Sequence, residues 1–68
     1  MKTKAFKAKM ILNDDTYETL SVELRISPAT LSNKVLGKTS FTTAEIKILA
    51  KRWNLSADEI NEIFLGDE

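Results

Sequence analysis

Only three residues, Arg25-Ile26-Ser27, separate two runs that both read as helix. In the first run Leu20 and Leu24 stand four apart, with Tyr17 one turn earlier. In the second, Leu31 and Val35 repeat the same spacing. Apolar residues at i and i+4 share one helical face, so each run carries a stripe to bury. A connection this short forces the two helices to cross steeply. The residue at their nearest approach must then be small, and Ser21 occupies that place. Ser27 suits the N-cap of the second helix, Pro28 its first helical position, and Gly37 a left-handed stop. Between these signals the solvent side holds only small and polar residues: Ala29, Thr30, Ser32 and Asn33.

The rest of the chain is read the same way. A first helix is expected over about residues 4–12, with Phe6 and Met10 on one face, ending at the turn-forming Asn13-Asp14-Asp15. Thr16 caps the second helix, which runs to about Leu24. Thr42-Thr43-Ala44-Glu45 and Ser56-Ala57-Asp58-Glu59 are two capping boxes. They open a fourth helix, to about Arg52 or Trp53, and a fifth, to about Leu65, with Asn54 and Gly66 as the stops. Ile46, Leu49 and Ala50 line the fourth; Ile60, Ile63 and Phe64 line the fifth. Phe41 and Leu55 sit between helices, where they can plug the core. No alternating strand pattern stands out. The expected fold is all-α: one domain over 1–68, a compact five-helix bundle.

Composition narrows what such a bundle does. A 68-residue chain buries only about 60% of its unfolded surface, so its core is small. There is no cysteine and no histidine. Disulfides, thiolate metal sites and the commonest nucleophile and general base are therefore excluded. The two glycines, Gly37 and Gly66, cannot build a phosphate loop. No enzyme, cofactor, metal or small-molecule ligand is expected. Asp14-Asp15 and Asp58-Glu59 are explained by turn formation and by compensation of helix dipoles. No apolar run approaches the length of a membrane span and no signal peptide is evident; with no cysteine, an intracellular location is the simplest expectation.

Net charge is zero, but it is unevenly placed. Residues 1–38 hold seven Lys/Arg against four Asp/Glu; residues 39–68 hold three against six. A neutral molecule polarised in this way can still present a basic face to a polyanion.

Helix, short turn and outward helix over about 17–37 make a helix-turn-helix unit, whose second helix is free to enter the DNA major groove. The run Tyr17 to Lys34 resembles the core of phage Cro-like and Xre-type repressor domains. Gly37-Lys38-Thr39-Ser40-Phe41-Thr42-Thr43-Ala44-Glu45-Ile46, then Leu49-Ala50 and Asn54-Leu55-Ser56, continue the likeness over almost the full length. The resemblance implies a lambda-repressor-like fold and a small regulator of Gram-positive phages or prophages. Such a protein acts in the bacterial cytoplasm on a pseudo-palindromic double-stranded operator. Three positions depart from the family pattern. Arg25 stands where glycine is usual, at a cost of roughly 1 kcal/mol if it turns left-handed. Ser21 replaces a small alanine. Lys34 fills a place that is often apolar, while Val35 next to it supplies the apolar side chain. The rotation of the second helix is thereby open by about one position.

The resemblance further implicates Pro28, Ala29, Ser32 and Asn33 as base-facing. Asn33 has the donor–acceptor pair to engage adenine, and Ala29 and the Thr30 methyl suit a thymine methyl. Tyr17, Ser27, Thr30, Lys34, Lys38, Thr39, Ser40 and Thr42 are the phosphate candidates, Lys34 being alternatively a guanine contact or simply solvated. Trp53, Phe64 and Leu65 are the candidates for a homodimer contact, Trp53 and Leu65 because they fall off the inner stripes. Two other readings stand beside this one. The chain could be an interaction module, such as an anti-repressor gripping a partner phage repressor. It could equally be an antitoxin-type regulator that still binds DNA.

Overall fold

The computed structural model describes residues 1–66. Among these the chain is all helical: α1 (Thr3–Leu12), α2 (Tyr17–Leu24), α3 (Pro28–Val35), α4 (Thr43–Arg52) and α5 (Ala57–Ile60), with no strand. Beyond Ile60 the helix continues but widens into a π-helical stretch over Asn61–Leu65, in place of the single regular fifth helix expected. Asp67 and Glu68, part of the acidic half of the sequence, lie outside the described residues.

Local chemistry sets the helix starts. Thr16, Ser27, Thr42 and Ser56 each accept a hydrogen bond from the backbone N–H three residues on. Thr42–Glu45 and Ser56–Glu59 close both halves of their boxes, and Thr16–Thr19 forms a third with a hydroxyl in place of a carboxylate. Each such cap is worth about 1 kcal/mol. Helix ends are turned by left-handed residues: Asp14 (φ 57°), Arg25 (φ 58°), Asn54 (φ 52°) and Gly37 (φ 82°). Gly66 ends the last turn differently, in an extended conformation. A Cβ there would stand 2.5 Å from the Glu62 carbonyl oxygen, so only glycine fits.

The core forms where the stripes meet. Phe6, Leu20, Leu24, Leu31, Val35, Leu49, Trp53 and Ile63 are buried, and Phe41 and Leu55 close it from the loops. Phe6 sits among three aromatic rings: Phe41 stacked at 5.5 Å, and Trp53 and Phe64 edge-on at 5.1 and 6.1 Å. The start of the chain is tied in by the Lys2 N–H on the Ile63 carbonyl (2.9 Å) and the Thr3 hydroxyl on the Val35 carbonyl (2.8 Å).

Two expectations are corrected here. Trp53, expected at a surface between copies, is 5% exposed, and its indole N–H donates to Asp15 Oδ2 at 2.7 Å. It is a core residue because Asp15 offers its one polar atom a partner inside. Asp15, expected to serve turn chemistry alone, is instead a buried acceptor joining the α1–α2 turn to α4. It receives Arg52 Nε (3.0 Å), Arg52 Nη2 (2.7 Å), Trp53 Nε1 and the Thr19 hydroxyl (3.0 Å). The paired Arg52 guanidinium outweighs burial and, with Trp53 and Thr19, lowers the Asp15 pKa to about 2.

A candidate nucleic-acid interface on α3

The turn between α2 and α3 closes as the spacing requires. Ser21 is buried at the crossing, its hydroxyl returned to the Glu18 carbonyl (2.8 Å), and its own carbonyl accepts the Ile26 N–H (3.0 Å). Arg25 is left-handed, so α2 stops within one residue and α3 can leave at a steep angle. Ser27 then caps α3: its Oγ accepts from the Thr30 N–H (3.1 Å) and donates to Thr30 Oγ1 (2.9 Å).

The rotation of α3 follows from what it buries. Leu31, Lys34 and Val35 all face inward. The sequence pattern leaves Lys34 and Val35 as alternatives; both are inside. At about 100° per residue, the inward trio sets Ala29, Asn33 and Leu36 nearly opposite the core, with Ser32 beside them. Pro28, Ala29, Thr30 and Asn33 are exposed and Ser32 half-exposed. The Asn33 carboxamide makes no hydrogen bond among the described residues, and its backbone carbonyl anchors the following loop through the Lys38 N–H (2.9 Å). Pro28 and Thr30 lie on the flanks of this face.

Lys34 is the clearest correction among the phosphate candidates. Its ammonium donates to Glu45 Oε1 (2.8 Å) and to the Ser40 carbonyl (3.1 Å), and lies 5.8 Å from the centre of the Phe41 ring. It is turned inward because it has an internal carboxylate to meet. Burial opposes the Glu45 charge, but Lys34 and the Thr42 N–H outweigh it, holding the Glu45 carboxyl below its usual pKa. The same grip fixes the loop after α3. It leaves Lys38, Thr39 and Ser40 exposed beside the outer face of the helix, with Lys38 the cation of that loop.

The other candidates are distributed as follows. Thr42 is exposed, but its Oγ1 accepts from the Glu45 N–H and its own N–H is taken by Glu45 Oε1. Ser27 is likewise engaged in its cap. Tyr17 packs its ring on the core, and its hydroxyl has no partner among the described residues. Phe64 is half-buried against Phe6 and Phe41, whereas Leu65 is 72% exposed. Leu65 borders a groove of about 240 Å³ that Met1, Ile46 and Phe64 also line. Leu36 is a residue of this face that sequence reasoning misses. It stands 54% exposed at the end of α3 on the side of Asn33. Its spacing from Ala29, seven residues, is the signal that could find it.

No protein-family model matches this chain, and neither a curated protein nor a solved structure does. Among the described residues no helix is long and apolar enough to cross a membrane.

Proposed function

We propose that this chain is a sequence-specific DNA-binding regulator of the Cro-like, lambda-repressor-like helix-turn-helix kind. It would bind a pseudo-palindromic operator as a dimer and block transcription sterically. The observation that carries the reading is the outer face of α3. A three-residue turn leads into it, an inward Lys34 clears it of charged side chains, and it offers Ala29, Ser32 and Asn33 with the Lys38–Ser40 loop alongside. Small side chains let a helix backbone approach base edges, and Asn33 carries the donor and acceptor that adenine complements in the major groove. Lys38 and the loop hydroxyls suit the flanking phosphates. For the dimer, Leu65 and its groove are the favoured contact, with Trp53 withdrawn to the core.

The test is selection of duplexes from a random pool at low salt, followed by affinity measurement against a scrambled duplex. A selected sequence bound at least tenfold more tightly, with the preference lost in Asn33→Ala, supports the reading. Equal binding of selected and scrambled duplexes removes it. One observation favours the anti-repressor alternative: net charge is zero and Lys34 is spent internally, which leaves Arg25 and Lys38 as the exposed cations flanking α3 in the sequence. In that case the chain would co-elute with a partner repressor and bind no selected duplex.

A further inference from the structure

Leu36 has no part in the core, although it directly follows the buried Val35. Its N–H still donates to the Ser32 carbonyl (2.9 Å), so it continues the helical path of α3. A lone exposed leucine is ordinary on a protein surface. This one shares a helical stripe with Ala29, Ser32 and Asn33, the i, i+3, i+4, i+7 set that faces away from the core. The stripe is therefore bounded by an apolar residue at each end, with polar atoms between them. Seven residues of helix advance about 10.5 Å. Base pairs follow one another about every 3.4 Å, so with α3 lying along the duplex direction the two apolar ends would span about three base-pair steps. The major-groove edges present hydrogen-bonding atoms at every pair and one apolar group, the thymine 5-methyl.

Resting on the DNA-binding reading above, we propose that Leu36 is a specificity-determining residue that reads a thymine methyl, about three base pairs from the pair beneath Ala29. The recognised half-site then places an adenine, read by Asn33, between two methyl-bearing positions. Nothing else is asked of Leu36: its side chain is exposed in the free protein and lies outside the buried core.

The experiment replaces each thymine of a selected duplex, one at a time, with deoxyuridine, which removes only the methyl. Affinities are read for the unaltered protein, Leu36→Ala and Asn33→Ala, with melting curves confirming that each folds. One position is expected where uracil weakens the unaltered protein about fourfold, the worth of one buried methyl, and leaves Leu36→Ala unaffected. If no thymine shows a Leu36-dependent effect while Asn33→Ala still changes preference, the DNA-binding reading stands and this inference is overturned. If no duplex is preferred at all, both fall. If Leu36→Ala weakens every duplex alike and shifts the sedimentation coefficient, Leu36 is a contact between copies and the inference is likewise overturned.

Discussion

Arg25 holds a left-handed conformation that most residue types avoid, and its guanidinium makes no hydrogen bond or ion pair among the described residues. The turn needs the backbone angle alone. Arg25→Gly is therefore expected to stabilise the fold by about 1 kcal/mol, raising the melting temperature by about 4–8 °C in a domain of this size. A thermal melt checks it. Lys34 is the opposite case, a residue whose side chain is needed. Removing one partner of a buried ion pair costs about 3–5 kcal/mol, because the other charge is left without its partner. Lys34→Met should therefore destabilise by that order in urea unfolding. Adding Glu45→Gln, which keeps an oxygen for the Thr42 N–H, should restore most of the loss. A chain of this length has roughly 3–10 kcal/mol in all, so the single change takes a large share. The two roles are not equally visible in the sequence. The strain at Arg25 can be read because turn chemistry is local. The burial of Lys34 cannot, because its partner lies eleven positions away on α4 and a lysine in a helical pattern reads as solvent-facing.

At the scale of elements, the helix starts are legible because each is written in four consecutive residues, as at Thr42–Glu45 and Ser56–Glu59. Helix rotation is not, since it depends on which partners the neighbouring elements supply. α3 shows the consequence: with Leu31, Lys34 and Val35 all inward, the charge near its outer face falls to Lys38 on the loop. This separates two lysines by their effect on DNA binding. Lys38→Ala should lower the slope of log affinity against log salt by about 0.9 for each phosphate that is no longer neutralised. The Lys34→Met, Glu45→Gln double variant should leave that slope unchanged. Titrations of a selected duplex over 50–200 mM salt measure both. Exposure at Pro28, Ala29 and Asn33 follows from the i, i+4 pattern, whereas Leu36 is hidden by reasoning that assigns every leucine to a core. The widening over Asn61–Leu65 has no local signal beyond Gly66.

For the whole molecule, Asp15 joins the turn after α1 to α4 across 37 and 38 positions of sequence. That distance is why the junction escapes the sequence and why it matters for stability. The Asp15 carboxyl titrates at about 2 when folded and near 3.8 in a free chain. Its contribution is complete above about pH 5 and is lost progressively as the pH falls through 2, most of it between pH 4 and 2. By linkage it amounts to about 2 kcal/mol. Urea unfolding followed by circular dichroism should show stability declining over that interval. In Asp15→Asn the chain should start weaker at pH 7 and decline less between pH 4 and 2. The helix starts and most of the core, Phe6, Leu20, Leu24, Leu31, Val35, Leu49 and Ile63, can be anticipated from spacing; the place of Trp53 in that core and the polar junction that holds it there cannot.

The same junction gives the protein an intrinsic optical reporter. Trp53 is the sole tryptophan, packed edge-on to Phe6 with its indole N–H on a carboxylate. Its emission therefore senses the charge on Asp15 as well as the exclusion of water. A spectral change between pH 4 and 2 that precedes the loss of helix would mark protonation within a still-folded chain. Coincident changes would mark a single cooperative collapse. Unfolding can thus be timed without a label, from a site separate in sequence from the α3 face.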